Sequence, residues 1–369
     1  LAYPEYGMKV TAINGLSVEE TPVSFKALEK IRVEGEVLDA SGQLATDFTG
    51  IVNPTVKDSK MTVTCLNNNN QDDTPAFTFT DYPNTIFIGN DSVRNGKFSF
   101  TFTVPKDISY SNLQGKMNLY AVDTENGHEA QGNFDNFIVG GTSDTAETDT
   151  IGPEIRALYL NDTTFVDGGQ VNTTPYFVAE LWDKSGVNIT GSSVGHDMML
   201  VIDESTVLSY NLNSYYELLP GEEGTGIVKF PIPALEPGKH TAEFWVWDIL
   251  NNSTVRTFTF EVVEGLKPFL FDVIATPGIA REQVTFHLMH NRPESRMRVG
   301  IMVYDLAGRQ LWKHEESGTS GLFENYTVSW DLTCGGARMR PGVYIYRAAI
   351  STDNSKDATK ARKFIILGE

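Results

Sequence analysis

Apolar and polar residues alternate with a period of two through almost the whole chain. In the segment GKFSFTFTVP, Phe98, Phe100, Phe102 and Val104 point one way while Ser99, Thr101 and Thr103 point the other. That spacing predicts a strand with one buried face. The same alternation recurs at Ile31 to Leu38, Met61 to Cys65, Met117 to Val122 and Phe134 to Val139. Past Pro153 it continues through Phe177, Ala179 and Leu181, through Met198, Leu200 and Ile202, at Phe244 and Val246, and through Phe258, Phe260 and Val262. Strands at short spacing, punctuated by Gly, Pro and Asn, predict an all-β chain of three tandem immunoglobulin-like β-sandwich domains.

Breaks in the pattern place the boundaries. The polar stretch Gly140 to Gly152 has no apolar residue except Ala146 and Ile151, and it separates a first domain, 1–149, from a second. The second, 150–265, closes at Glu264-Gly265, and 266–369 forms the third. The run Asn67 to Asp73 (NNNNQDD) is expected to be an exposed loop, since asparagine competes for backbone hydrogen bonds and favours turns.

Charge changes the picture more by its distribution than by its sum of -19. Residues 1–150 carry -11, residues 151–265 carry -11, and residues 266–369 carry +3, counted on the printed sequence. Two acidic domains repel a phosphate backbone, which argues against nucleic acid as a partner. The basic tail suits an acidic partner, although a solvated surface is the commoner explanation of such a balance. No apolar run reaches the length of a membrane-crossing helix, and the N-terminus has no basic region followed by an apolar stretch. The first residue, Leu1, leads us to expect a piece of a longer protein.

Candidate chemistry is sparse. Cys65 and Cys334 fall in different domains, so two free thiols are expected, with Cys65 a small buried hydrophobe. Neither lies in a nucleophile motif, and no catalytic residue and no cofactor is assigned. Asp183, Asp197 and Asp203 supply hard oxygens of the kind calcium takes, but their spacing matches no known loop. Turn formation by Asp183 in WDKSG and by Asp248 in WDILNN is the better reading, and no metal is assigned. His196-Asp197 looks like a catalytic dyad, yet neighbouring side chains on a strand face opposite ways.

The last hundred residues carry the clearest motif. A hairpin turns at Asp305-Leu306-Ala307-Gly308, a third strand ends at Trp330-Asp331, and a fourth opens at Pro341-Gly342 before aromatics alternate in RPGVYIYR. This order resembles the C-terminal sorting domain of proteins exported by the bacterial type IX secretion system. The opening Leu1-Ala2-Tyr3-Pro4 looks like the segment that ends the catalytic domain of gingipain-type cysteine peptidases. With the acidic β domains, a sandwich beginning at Thr150-Ile151-Gly152-Pro153 and the stretch Asp183 to Asp197, the chain is similar in order to the type IX secretion sortases of that family.

The resemblance implies a non-catalytic region at the cell surface, associated with the outer membrane, whose catalytic Cys and His lie upstream. It implies docking onto the outer-membrane β-barrel PorV, with other attachment-complex proteins and cargo C-terminal domains as further partners. Arg338, Arg340, Tyr344 and Tyr346 are the candidate contact residues, because Tyr and Arg combine large area with polar reach. In the competing reading Val343 and Ile345 pack inward, the tyrosines cover a sheet face and the arginines are solvated. The tail departs from cargo domains at Ala275-Thr276-Pro277-Gly278 and at its end, Gly368-Glu369, differences that favour a retained dock over a cleaved address. An adhesin or carbohydrate-binding stalk carrying its own export domain is the alternative. The five tryptophans, mostly inside strand patterns, do not suggest a sugar cleft.

Overall fold

The computed structural model describes residues 5–19, 23–66, 76–123, 125–144, 149–191, 195–219, 224–352 and 354–368. The opening Leu1 to Pro4, the Asn67 to Asp73 loop and residues 145–148 of the Gly140 to Gly152 linker lie outside the described residues. Among the described residues there is no α-helix and one short 3-10 turn, Asn213–Tyr215. The all-β expectation holds. Two compact units divide the chain, one of Leu1–Ala157, Ala179–Val228 and Ala242–Thr257, the other of Leu158–Val178, Lys229–Thr241 and Phe258–Glu369.

Where the sequence predicts an open sandwich at the start of the first unit, the sheet closes on itself. Around the ring run Lys116–Asp123, Glu129–Phe134, Tyr6–Ile13, Lys30–Leu38, Lys97–Thr103, Asp91–Arg94 and Gly50–Lys57. The last of these pairs back onto the first through eight residue pairs, from Gly50↔Asp123 to Lys57↔Lys116. Closure removes both free edges of the sheet. Alternation alone cannot report it, because a strand in a barrel and a strand in a sandwich both bury every second side chain. Val33, Val52, Val56, Phe100 and Leu119 are among the buried residues of this cluster.

Closure depends on glycine at the seam. A Cβ on Gly50 would lie 1.9 Å from the carbonyl oxygen of Val122 on the facing strand, a backbone clash that no rotamer relieves. Gly50→Ala is therefore expected to cost about 3 kcal/mol, the upper end of ordinary overpacking. The check is a calorimetric scan in which the transition of the first unit falls.

The expected strand Phe134 to Val139 is broken in the structure. One strand ends at Phe134 in the barrel, and another, Phe137–Thr142, joins a separate three-stranded sheet with Leu113–Gln114 and Val23–Ala27. Phe134 and Phe137 still stack at 6.0 Å across the break.

Beyond the barrel come a four-stranded sheet, with Glu154–Leu160, Tyr176–Trp182, Thr225–Pro231 and Tyr216–Leu218, and a five-stranded one built on Gly238–Trp247 and Ser253–Val262. Their tight turns follow the chemistry read from the sequence. The Asp183 carboxylate accepts the amides of Ser185 at 2.7 Å and Gly186 at 2.8 Å. Asp248 does the same for Leu250 and Asn252, at 2.9 and 2.7 Å.

In the second unit a three-stranded sheet, Leu270–Thr276, Val284–His290 and Tyr326–Trp330, and a five-stranded sheet share one apolar core. The five strands run in the order Ile279–Ala280, Ala358–Ile366, Gly342–Ser351, Met297–Tyr304 and Gln310–Gly318. Asp305 shapes the predicted hairpin by accepting the amides of Ala307 and Arg309, and Gly308 takes the left-handed conformation, φ 82°. Trp330 is core, as its pattern predicts. Its indole donates to the Thr333 carbonyl at 2.8 Å, while Asp331 accepts the Thr333 amide at 3.0 Å.

Candidate docking face and acidic cluster

Of the four candidate contact residues, the structure leaves two on the surface and takes two inside. Arg338 and Arg340 are exposed, and the Arg338 guanidinium donates to the Arg281 carbonyl. Tyr346 is 1% exposed and Tyr344 8% exposed. Both belong to the core: the Tyr346 ring lies 4.9 Å from Phe286 and the Tyr344 ring 6.0 Å from Phe364. Their hydroxyls donate to backbone carbonyls, Tyr346 to Val273 at 3.0 Å and Tyr344 to Arg340 at 2.7 Å. A tyrosine whose hydroxyl finds such a partner can be buried without an orphaned polar group. The phase of the strand is thus the reverse of the competing reading as well, since Val343 and Ile345 point outward.

Those outward positions build a face that the sequence did not single out. Ile365 pairs with Ile279 on one side and Val343 on the other, so three apolar side chains stand in one row across three strands. Val343 is 41% exposed and Ile365 36%. In the next row Ile345 pairs with Lys363 and with Tyr304, and beyond it Arg347 pairs with Met302. The result is an apolar strip bordered by cations, suited to an apolar partner with acidic groups at its rim. Alternation identifies each residue as one of two faces. Only the pairing of noncontiguous strands sets the isoleucines and Val343 side by side.

In the first unit the structure gathers carboxylates that sequence spacing separates. Asp183, Asp197 and Asp203, the oxygen set that sequence spacing argued against, form no cluster among the described residues. Asp183 instead meets Asp149 and Asp248, each offering an oxygen within 4.8 Å of the others. These three are the residues that could hold a hard cation. Asp183 and Asp248 are buried. Burial, and then the charges of Asp248 and Asp149, push the Asp183 carboxyl up to about 6 against the lowering effect of its two amide donors. Burial also raises Asp248, while the Ile151 amide and the Ser185 hydroxyl hold Asp149 below the usual range.

His196 and Asp197 take different partners, so they form no dyad. The His196 ring pairs through Nδ1 with Asp107 at 2.6 Å, and Asp197 accepts from the Asn213 side chain at 2.7 Å. Asp107 also accepts from Asn251 at 2.8 Å. Cys334 is half-buried with its thiol donating to the Leu311 carbonyl at 2.7 Å. Cys65 is exposed, contrary to expectation, because it follows the strand Met61–Thr64 of a two-stranded ribbon that packs neither face into the barrel core.

A closed barrel followed by sandwich-type sheets, with an apolar and basic outer face on the last of them, defines an all-β protein. No helix among the described residues is long and apolar enough to cross a membrane. No protein-family model and no curated protein matches the sequence. Among solved structures it is similar to dimeric latent PorU from Porphyromonas gingivalis, with 37% identity over 99% of this chain and a TM-score of 0.44. The chain spans about a third, 34%, of that PorU chain. A tetra-tandem repeat from the extending region of a large adhesion protein matches at 13% identity and TM-score 0.20, covering 99% of this chain and 74% of that one. The Bacteroides ovatus glucan-utilization protein SGBP-B, in complex with a mixed-linkage heptasaccharide, matches at 9% and 0.26, covering 94% and 66%. Neither of these two assigns a ligand to this chain.

Proposed function

We propose that this chain is the non-catalytic C-terminal region of a type IX secretion sortase, in three tandem β domains, 1–149, 150–265 and 266–369. In this reading it positions an upstream cysteine peptidase at the cell surface and docks it onto the outer-membrane β-barrel PorV, where cargo C-terminal domains are removed and cargo is joined to anionic lipopolysaccharide. The observation that carries the reading is the 37% identity to PorU along 99% of this chain. The apolar and basic face supports the docking half of it, since its rim matches the positive balance of residues 266–369. Arg338 and Arg340, exposed beside that face in sequence, stay as candidate contacts, and Val343, Ile345 and Ile365 join them.

The test is capture of purified PorV by the whole chain. Val343→Glu with Ile365→Glu changes only outward side chains, so the melting temperature should hold while capture weakens at least roughly tenfold. Arg338→Ala with Arg340→Ala should weaken capture less and make it less salt-sensitive. Unchanged capture by the glutamate pair sinks the docking proposal. Tight binding of a glycan with no capture of the barrel would favour the adhesin or stalk reading.

A further inference from the structure

The barrel closes at the Gly50–Lys57 seam, but one stretch inside its wall is unpaired. Lys97–Thr103 pairs with Lys30–Leu38 throughout, from Lys97↔Glu36 to Thr103↔Lys30. On its other side only Lys97 and Phe98 have partners, Arg94 and Val93. Ser99 to Thr103 face no other strand there among the described residues. The flanking bonds show which backbone groups this leaves open. Val37 donates to the Gly96 carbonyl and Val104 to the Glu29 carbonyl. Alternation in an antiparallel pair then turns the N–H and C=O of Ser99, Thr101 and Thr103 toward the open side. Two more strands of the first unit have an open edge, Thr85–Ile88, which pairs only with Gly50–Lys57, and Tyr216–Leu218, the last strand of the four-stranded sheet. All three line one cavity of about 820 Å³. Its walls include the buried Phe100 and Phe102 as well as the outward Thr101 and Thr103, so the cavity opens at the strand edge itself. Phe87 lines it half-buried, its ring 4.7 Å from that of Phe102. The Asn90 carboxamide, a side-chain copy of a peptide group, donates to the Leu218 carbonyl at 3.1 Å. An amide thus already meets one main-chain acceptor in this slot.

We propose that this slot binds an extended peptide with an acidic flank, which adds as a strand to the Ser99–Thr103 edge. A row of main-chain donors and acceptors is matched along its length by another main chain in the extended form. The cavity has the volume of a ligand site, and the phenyl rings at its depth suit every second side chain of a strand. Charge selects among peptides. The charged residues of the cavity are Lys30, Arg32 and Lys184 against Asp91 and Asp183, a cationic balance in a chain of net charge -19. Lys30 and Arg32 are exposed and sit opposite Thr103 and Thr101, within reach of a carboxylate on a strand laid along that edge. The slot belongs to the first unit and the outer face carrying Val343 and Ile365 to the second, so this inference does not rest on the reading under Proposed function.

The probes are four fluorescein-labelled nonapeptides in which valine, isoleucine, leucine or phenylalanine alternates with threonine between two terminal aspartates. Anisotropy is followed as the whole chain is added up to about 1 mM, the weak end of measurable association. At least one peptide should bind, and in its presence the Thr101 and Thr103 amides should exchange more slowly with solvent. Methylating the main-chain nitrogens at the apolar positions, or at the threonines, removes the donors along one edge of the peptide. At least one of these two forms should bind at least roughly tenfold more weakly. Thr101→Pro removes an N–H of the open edge and keeps the ladder to Lys30–Leu38, a change that an edge tolerates. It should weaken binding at least roughly tenfold with the melting temperature held. If the proline lowers that temperature, Lys30→Glu with Arg32→Glu, both exposed, carries the test, with binding at least roughly fivefold weaker at low salt. No binding by any of the four peptides, full binding by both methylated forms, or binding unchanged in the proline variant and the glutamate pair alike overturns the proposal. Capture of PorV by the Thr101→Pro chain reads the docking function separately, so either reading can fail while the other stands.

Discussion

Tyr346→Ala should unfold the terminal sandwich at temperatures where the wild type is native, at a cost of about 3–5 kcal/mol, the range for a buried aromatic cut to alanine. The ring fills the space between the two sheets of the second unit, 4.9 Å from Phe286 and 5.8 Å from Phe364. Tyr346→Phe keeps that volume and leaves the Val273 carbonyl without its donor, a loss of about 1 kcal/mol. The pair separates a packing role from a contact role. If Tyr346 met a partner through its hydroxyl, the phenylalanine variant would lose capture of the barrel while melting nearly as the wild type does. Because Tyr346 is buried, the proposed docking leads to the opposite expectation, with capture intact in Tyr346→Phe and lost in Tyr346→Ala only together with the fold. Calorimetry and capture on the same samples decide it.

Asp183→Asn should make the first unit more stable at neutral pH. The Asp183 carboxyl is raised from 3.8 to about 6, so between those values the folded state holds a proton that the unfolded chain has released. For an acid shifted upward, the stability is fully present below about pH 4, is lost as pH rises toward 6, and stays lost above. The loss is on the order of 3 kcal/mol by the size of the shift, and less to the extent that water reaches the site. Asparagine keeps the acceptor oxygen for the Ser185 and Gly186 amides and removes the charge facing Asp248 and Asp149. In a chelating buffer the variant should gain about 1–3 kcal/mol over the wild type at pH 7.5. Near pH 4 the gain should vanish. Denaturant unfolding at the two pH values, followed by a probe in the first unit, measures it. Equal stability at pH 7.5 would mean the three carboxylates do not repel one another in solution.

Local chemistry was legible in the sequence because it acts over a few residues. The Asx turns at Asp183, Asp248 and Asp305, the Trp330-Asp331 corner and the strands around Phe100 and Phe260 all came from neighbours along the chain. The candidate site was legible only in part. Arg338 and Arg340 are exposed and the two tyrosines are buried, a division the sequence did not make, since an alternating run of Val, Tyr, Ile and Tyr does not say which half is inside. That depends on whether a hydroxyl can reach a carbonyl such as that of Val273, which is 73 positions away.

Cys65 failed for a related reason. Its strand has the amphipathic pattern of a core strand, and pattern reports only that one face avoids water, not which surface covers it.

By itself the sequence determined the strand alternation, the turn chemistry and the change from an acidic 1–265 to a slightly basic 266–369, all properties of composition or of short spacing. The tertiary structure alone decided that Gly50–Lys57 closes onto Lys116–Asp123 to make a barrel, that Asp149, Asp183 and Asp248 converge, and that Ile279, Ile365 and Val343 line up on one outer face. Each of these joins residues far apart in the chain. Such pairings are chosen by the free energy of burying whole faces against one another, and no short window of the sequence contains both partners.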